Sequence, residues 1–153
     1  MDTSTNKQHY VRLIPMTVLS FMSMYILMYA MVDRFANVFP NFNQIYMAGL
    51  MASPMVIIEL LLMRGMYPRK NWNVLIITAS VVALMIFWLG IRQQVAITDK
   101  QFLKSMIPHH AGAILMREKA SIRDPEIKEL CKEIISSQQR EIDQMKAKLN
   151  QLH

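Results

Sequence analysis

The sequence is short of glycine, cysteine and histidine, with four, one and four of them in 153 residues. The single thiol, Cys131, excludes an internal disulfide framework and leaves three roles open: a buried thiol, an intermolecular bridge or a soft metal ligand. Glu-x-x-His pairs are absent, which argues against the di-metal oxidoreductases built in helical bundles; these need such a pair on each of two helices plus several inward carboxylates. No enzymatic activity is expected. Acidic residues are also few, 11 against 17 lysines and arginines, for a net charge of +6. The cations are scattered, and those near the C-terminus alternate with glutamates along helical faces, a solvated surface rather than a nucleic-acid footprint.

Charge is missing altogether from three long runs, Leu13 to Val32, Asn43 to Ile58 and Trp72 to Gly90. An apolar fraction of 53% is too high for a soluble domain of this size, and almost all of it precedes Ile91. The chain therefore divides into a membrane region, residues 1–92, and a polar helical region, residues 97–153. Three transmembrane helices are expected over about residues 11–32, 43–64 and 72–91, each near the roughly 20 residues that cross about 30 Å of hydrocarbon. "VDRFANVFPNFN" and "RGMYPRKNW" are the expected hairpin connections, and Tyr10, Tyr46, Tyr67 and Trp72 fall where amphipathic rings prefer the interface.

The first run has no small-residue cleavage pattern and is too long for a typical signal peptide, so it reads as a retained helix. Lys7, Arg12, Arg64, Arg69 and Lys70 lie on one side of the bilayer, against Arg34, Arg92, Lys100 and Lys104 on the other. That asymmetry places the N-terminus in the cytoplasm and the C-terminal region outside it, which in a Gram-negative bacterium is the periplasmic side of the inner membrane.

Met47, Met51, Met55, Glu59 and Met63 recur every four residues along the second apolar helix. Two readings stand side by side. In the first, methionine is a flexible packing residue and Glu59 reaches the interface to pair with Arg64, Arg69 and Lys70. In the second, the thioethers form a ladder that passes a soft cation across the bilayer, with Glu59 as a ligand or proton site and Pro54 kinking the helix.

In the polar region Thr98 or Asp99 can cap a helix reaching about Ser121. Pro108 should bend that helix or begin a new one. A second helix starts at Asp124 as N-cap with Pro125 and Glu126 in its first turn and runs to about Leu152, making an antiparallel hairpin. Phe102, Met106, His109, Ala113 and Met116 are expected to share a face, with His110 one position round. Cys131, Ile134, Gln138, Glu141 and Met145 recur at threes and fours on the partner helix, and the two faces are expected to meet. Folding at Arg123 sets His109 and His110 opposite Ile135 to Gln138, and Met106 opposite Gln138 to Glu141, to within a turn. Glu141 can then orient an imidazole or join a coordination shell.

Thioether sulfur is soft and uncharged, so it favours Cu(I) or Ag(I) over Zn²⁺, Mg²⁺ or Fe²⁺, and neutral imidazole accepts copper in either oxidation state. A Met and His set therefore points to copper. The plain alternative is two incidental histidines beside methionines that fill a seam, and the residues alone leave both open. "DKQFLKSMIPHHAGAILM" followed by "IKELCKEIISSQQREIDQM" resembles the bacterial family called domain of unknown function 305, some of whose members are periplasmic copper-binding proteins. The resemblance covers about Ile97 to Leu152, and the three preceding apolar helices are similar to a membrane-anchored subgroup. It implies a ferritin-like helical fold with Met106, His109, His110 and Met116 as the metal motif and Gln138, Glu141 and Met145 as companions. Cys131 has no place in that pattern.

The expected protein is all-α: three transmembrane helices and a ferritin-like antiparallel hairpin that pairs with a second copy into a four-helix bundle, most simply as a homodimer. Its expected role is to capture or buffer copper outside the cytoplasm for copper tolerance. Copper transport along the methionine stripe and a metal-free helical interaction module are the alternatives.

Overall fold

The computed structural model describes residues 3–152, with side chains from Gln8 onward. Five α-helices run in order, Thr3–Leu27 (α1), Phe42–Leu62 (α2), Lys70–Arg92 (α3), Asp99–Lys119 (α4) and Pro125–Gln151 (α5), with short 3-10 turns at Met28–Met31 and Phe35–Asn37. No strand occurs among the described residues. The helices form two compact units, Met1–Leu27 with Asn43–Val95, and Met28–Phe42 with Ala96–His153.

Three segments, all but a few of their residues in the first unit, are long and apolar enough to cross a membrane: Gln8–Met31, Phe42–Leu62 and Lys70–Arg92. They fall within a few residues of the spans expected from sequence. The first ends differently, because the α-helix stops at Leu27 and the chain tightens into a 3-10 turn before Val32. Beside a core of Leu13, Val56, Leu60 and Tyr67, many of the buried positions in this unit are small residues. The buried residues of α2 are Ala48, Gly49, Ala52, Ser53, Val56 and Leu60, and α3 buries Ser80 and Gly90, while Val74, Leu75, Val82 and Ile86 stay largely exposed. Small residues let helix backbones approach where no hydrophobic force distinguishes lipid from protein. At Gly49 the approach is so close that a Cβ would collide with the Phe87 ring. The hydroxyls of Thr17, Ser53 and Ser80 donate back to Leu13, Gly49 and Ile76 carbonyls at 2.7–2.8 Å, so none is left facing hydrocarbon.

One end of this unit is tied by a polar knot. Tyr10 donates its hydroxyl hydrogen to Asn73 Oδ1 at 2.7 Å and accepts from the Arg69 N–H at 3.1 Å, Asn73 Nδ2 donates to Tyr67 O at 2.7 Å, and the Tyr10 and Tyr67 rings meet edge-on at 5.1 Å. Tyr67 Oη donates to Glu59 Oε1 at 3.2 Å. This corrects the expected pairing of Glu59 with Arg64, Arg69 and Lys70: no such ion pair occurs among the described residues, and Arg64 Nε donates to the Leu61 carbonyl instead. A phenol can reach Glu59 from the tight α2–α3 turn while the long cations stay solvated. Lys7, counted with these cations, has a side chain outside the described set.

The second unit is a helical hairpin with an unexpected third layer. Ile107, Ala111 and Ile114 of α4 and Ile142 of α5 form its buried core, against which Met145, Leu149 and, from the α1–α2 connector, Val32 and Phe39 pack. That connector is more than the simple link expected between two membrane helices. Its backbone comes so close to α4 that Met31 O would stand 3.4 Å from a Cβ at Gly112. Asp124 caps α5 as expected, its carboxylate accepting from the Ile127 N–H at 3.0 Å with Pro125 in first position. Thr98 occupies the α4 cap position, but neither it nor Asp99 makes a side-chain cap.

Candidate metal centre in the helical hairpin

The centre depends on α4 continuing through Pro108. Proline has no N–H, so the Lys104 carbonyl loses its helical donor. Asn41, 2% exposed, supplies one: its Nδ2 donates to Lys104 O at 3.4 Å and to Phe39 O at 2.9 Å, and its Oδ1 accepts from Ser105 Oγ at 3.2 Å. With this repair from the connector, Asp99–Lys119 is one unbroken helix and no new helix begins at Pro108.

His110 lies buried two residues on, 7% exposed. Its Nδ1 is 2.9 Å from the Met106 carbonyl and its Nε2 2.7 Å from Glu141 Oε2. A carbonyl oxygen only accepts, so Nδ1 carries a hydrogen and Nε2 is the nitrogen turned toward the carboxylate. The imidazole is thereby fixed in orientation at both nitrogens. The Glu141 side chain is 51% exposed and sits at the rim of the pair. On α5, Gln138 precedes Glu141 by one turn, and its Oε1 is buried without a hydrogen-bond partner. A buried unpaired acceptor costs about 1–3 kcal/mol. Met145 follows Glu141 by one turn and packs on the core.

The other residues read from sequence are distributed differently. His109 is exposed, its ring centroid 6.0 Å from that of His110, and Met116 is 54% exposed. The expected common face of Phe102, Met106, His109, Ala113 and Met116 is not the one that meets α5. The buried arc of α4 runs through Ile107, Pro108, His110, Ala111, Gly112 and Ile114, and Phe102, His109 and Met116 point outward. Two neighbours explain the rotation, since α4 packs against both α5 and the connector. The register falls within the expected turn, at its far edge. Pairing His110 with Glu141 sets Lys119 level with about residue 132 at 1.5 Å per residue, so the first turns of α5 project beyond α4.

Cys131 is buried on α5, about 15 Å along the helix from Glu141 and therefore peripheral to the pair. Met47 and Met63 are 39% and 40% exposed, and Met51 and Met55 half-buried, along the edge of the packed α2 face. Among the described residues no three His, Cys, Asp or Glu side chains gather within ligating reach. The convergent donors of one chain are His110 and Glu141, with Met106 on the preceding turn. Sequence reasoning missed Asn41 and the connector; the signal was Pro108, whose missing N–H leaves the Lys104 carbonyl in need of a donor from elsewhere.

Fold and site define an all-helical protein in which three membrane-compatible helices accompany a hairpin presenting a buried, carboxylate-paired histidine. Residues 90–149 match the family described as domain of unknown function, DUF305. An uncharacterized protein of Acanthamoeba polyphaga mimivirus is 38% identical over 113 residues, 72% of this chain and 72% of that one. That length exceeds the hairpin region, so the likeness extends into the apolar helices. The chain belongs to the DUF305 family. No solved structure matches it.

Proposed function

We propose that this protein is a membrane-anchored copper-binding protein that captures or buffers Cu(I), and by the same chemistry Ag(I), on the non-cytoplasmic face of its membrane, the periplasmic face in a bacterium. The observation that carries the reading is the fixed orientation of the His110 ring between the Met106 carbonyl and Glu141. A metal-ligating imidazole characteristically donates its second N–H to a carbonyl or carboxylate, which sets the ring and raises its basicity. Here Nδ1–H is held by the Met106 carbonyl, and Nε2 is the nitrogen that a metal would take in exchange for its contact with Glu141. Half-exposed Glu141 can swing aside or join the shell. The buried, unpaired Gln138 oxygen supports a bound group beside them.

Met106 would add its thioether from the turn before His110. His109 and Met116 face outward on the same helix, where a second hairpin would bring further donors. The hairpin is then half of a ferritin-like four-helix bundle, formed in a homodimer. No catalytic step belongs to this function. The cation asymmetry of the apolar region supports a cytoplasmic N-terminus and a hairpin on the opposite side.

Titration of the purified full chain with Cu(I) against a competing chelator tests the proposal. Wild type should bind. His109→Ala with His110→Ala should abolish binding, and Glu141→Gln should weaken it about 10–100-fold, the usual effect of removing a ligand's supporting partner. Binding that survives the double histidine change unaltered would sink the site.

A further inference from the structure

The three apolar helices enclose a groove of about 920 Å³, near the upper end of ordinary ligand sites. Its walls come from α1 between Tyr10 and Phe21, from the small-residue face of α2 at Gly49, Ala52 and Ser53, and from α3 between Trp72 and Phe87. At 1.5 Å per residue it runs about 16 Å along α1 and about 22 Å along α3. One leaflet of a bilayer's hydrocarbon is about 15 Å deep. The hydroxyls lining it, Thr17, Ser53 and Ser80, are committed to their own helices, so the walls offer an occupant methylene contacts and no free donor.

One end is chemically different. Arg69 lines it beside Tyr10 and Trp72, and its guanidinium has no partner among the described residues. Exposed Arg12, Arg64 and Lys70 lie in the neighbouring sequence at the same end. The nearby acid, Glu59, bonds to Tyr67 and forms no ion pair with Arg69, and its single negative charge is outnumbered by these cations. A groove at least one leaflet deep, apolar along its length and cationic at its mouth, matches a phospholipid with an anionic headgroup. We propose that the membrane unit holds an anionic phospholipid, its acyl chain in the groove and its phosphate against Arg69. The inference rests on the three helices crossing a bilayer and is independent of copper binding. A helix from a second copy fits less well, because it would run the full bilayer and bring a second cationic cluster against the first.

Trp72 reports on the groove directly. The full-length Trp88→Phe protein, in which Trp72 is the remaining indole, is reconstituted in phosphatidylcholine vesicles. Brominated phosphatidylglycerol or brominated phosphatidylcholine then replaces increasing fractions of the lipid. Phosphatidylglycerol should reach half-maximal quenching at about a fivefold lower mole fraction, the worth of one favourable surface cation. Arg69→Gln should bring the two lipids level, and Ala83→Phe, which fills the groove, should remove the preference while Arg69 remains. Arg92→Gln, at the opposite end of α3, should leave it intact. Equal quenching by the two lipids in the Trp88→Phe protein overturns the proposal. So does a preference that survives either Arg69→Gln or Ala83→Phe, which would assign it to the general surface charge.

Discussion

Pro108 and Asn41 are far apart in sequence and energetically one feature. Proline removes the donor that Lys104 O would otherwise have, and Asn41 restores it from a buried position while also bonding Phe39 O and Ser105. Asn41→Leu should destabilise the hairpin unit by about 1–3 kcal/mol, because several buried polar groups lose partners at once. Pro108→Ala returns an N–H to Lys104 O. In the double variant the two losses should therefore sum to less than their separate values, which chemical unfolding of the four proteins would measure as a coupling energy. Additive losses would mean that Asn41 does not serve that carbonyl. At this scale the sequence was partly readable. Glu141 as the group orienting an imidazole follows from its place on the α5 seam, whereas Asn41 forms its bonds across more than sixty positions and belongs to no periodic pattern.

The helices themselves were readable because long uncharged runs and a proline-capped amphipathic stretch are local signals. The faces they present were less so. Periodicity assigned α4 one partner, but a helix packed on two sides buries a wider arc, and the connector that makes the second contact uses Val32 and Phe39 in irregular backbone. The α2–α3 turn offers a sharper test of an element. Burial foremost, then the Glu59 carboxylate and Tyr10, pushes the Tyr67 hydroxyl above its ordinary 10.0. The folded state then holds the proton after the unfolded chain has released it, so this contribution is complete below pH 10 and is lost as pH rises from there through the raised value. Thermal unfolding in detergent should show the wild-type midpoint falling above pH 10 more steeply than that of Tyr67→Phe. At neutral pH the same variant should be less stable by about 1.5–3 kcal/mol, having lost a hydrogen bond to a charged group. Parallel curves above pH 10 would remove Tyr67 from the account.

For the whole molecule, the division into apolar helices and a charged hairpin is written in composition, but the assignment of the α1–α2 connector to the hairpin unit is not, because it depends on contacts between distant segments. The hairpin also carries apolar surface that its own fold leaves uncovered. Phe102 and Met116 flank His109 at intervals of seven along the outward face of α4, about half exposed, and Ile127 and Leu130 are similarly exposed on α5. Seven-residue spacing is the repeat of a helix that packs along another helix, and a two-helix hairpin with a short connector buries too little to leave such a stripe unpartnered. The full chain in detergent should therefore sediment as a dimer at micromolar concentration, and Phe102→Glu should shift it to monomer. Because His109 lies within the same stripe, Phe102→Glu should also weaken Cu(I) binding although it touches no ligand, and the loss should diminish as protein concentration is raised, as mass action requires of a site completed by association. A monomeric variant with wild-type affinity would instead place every ligand in one chain.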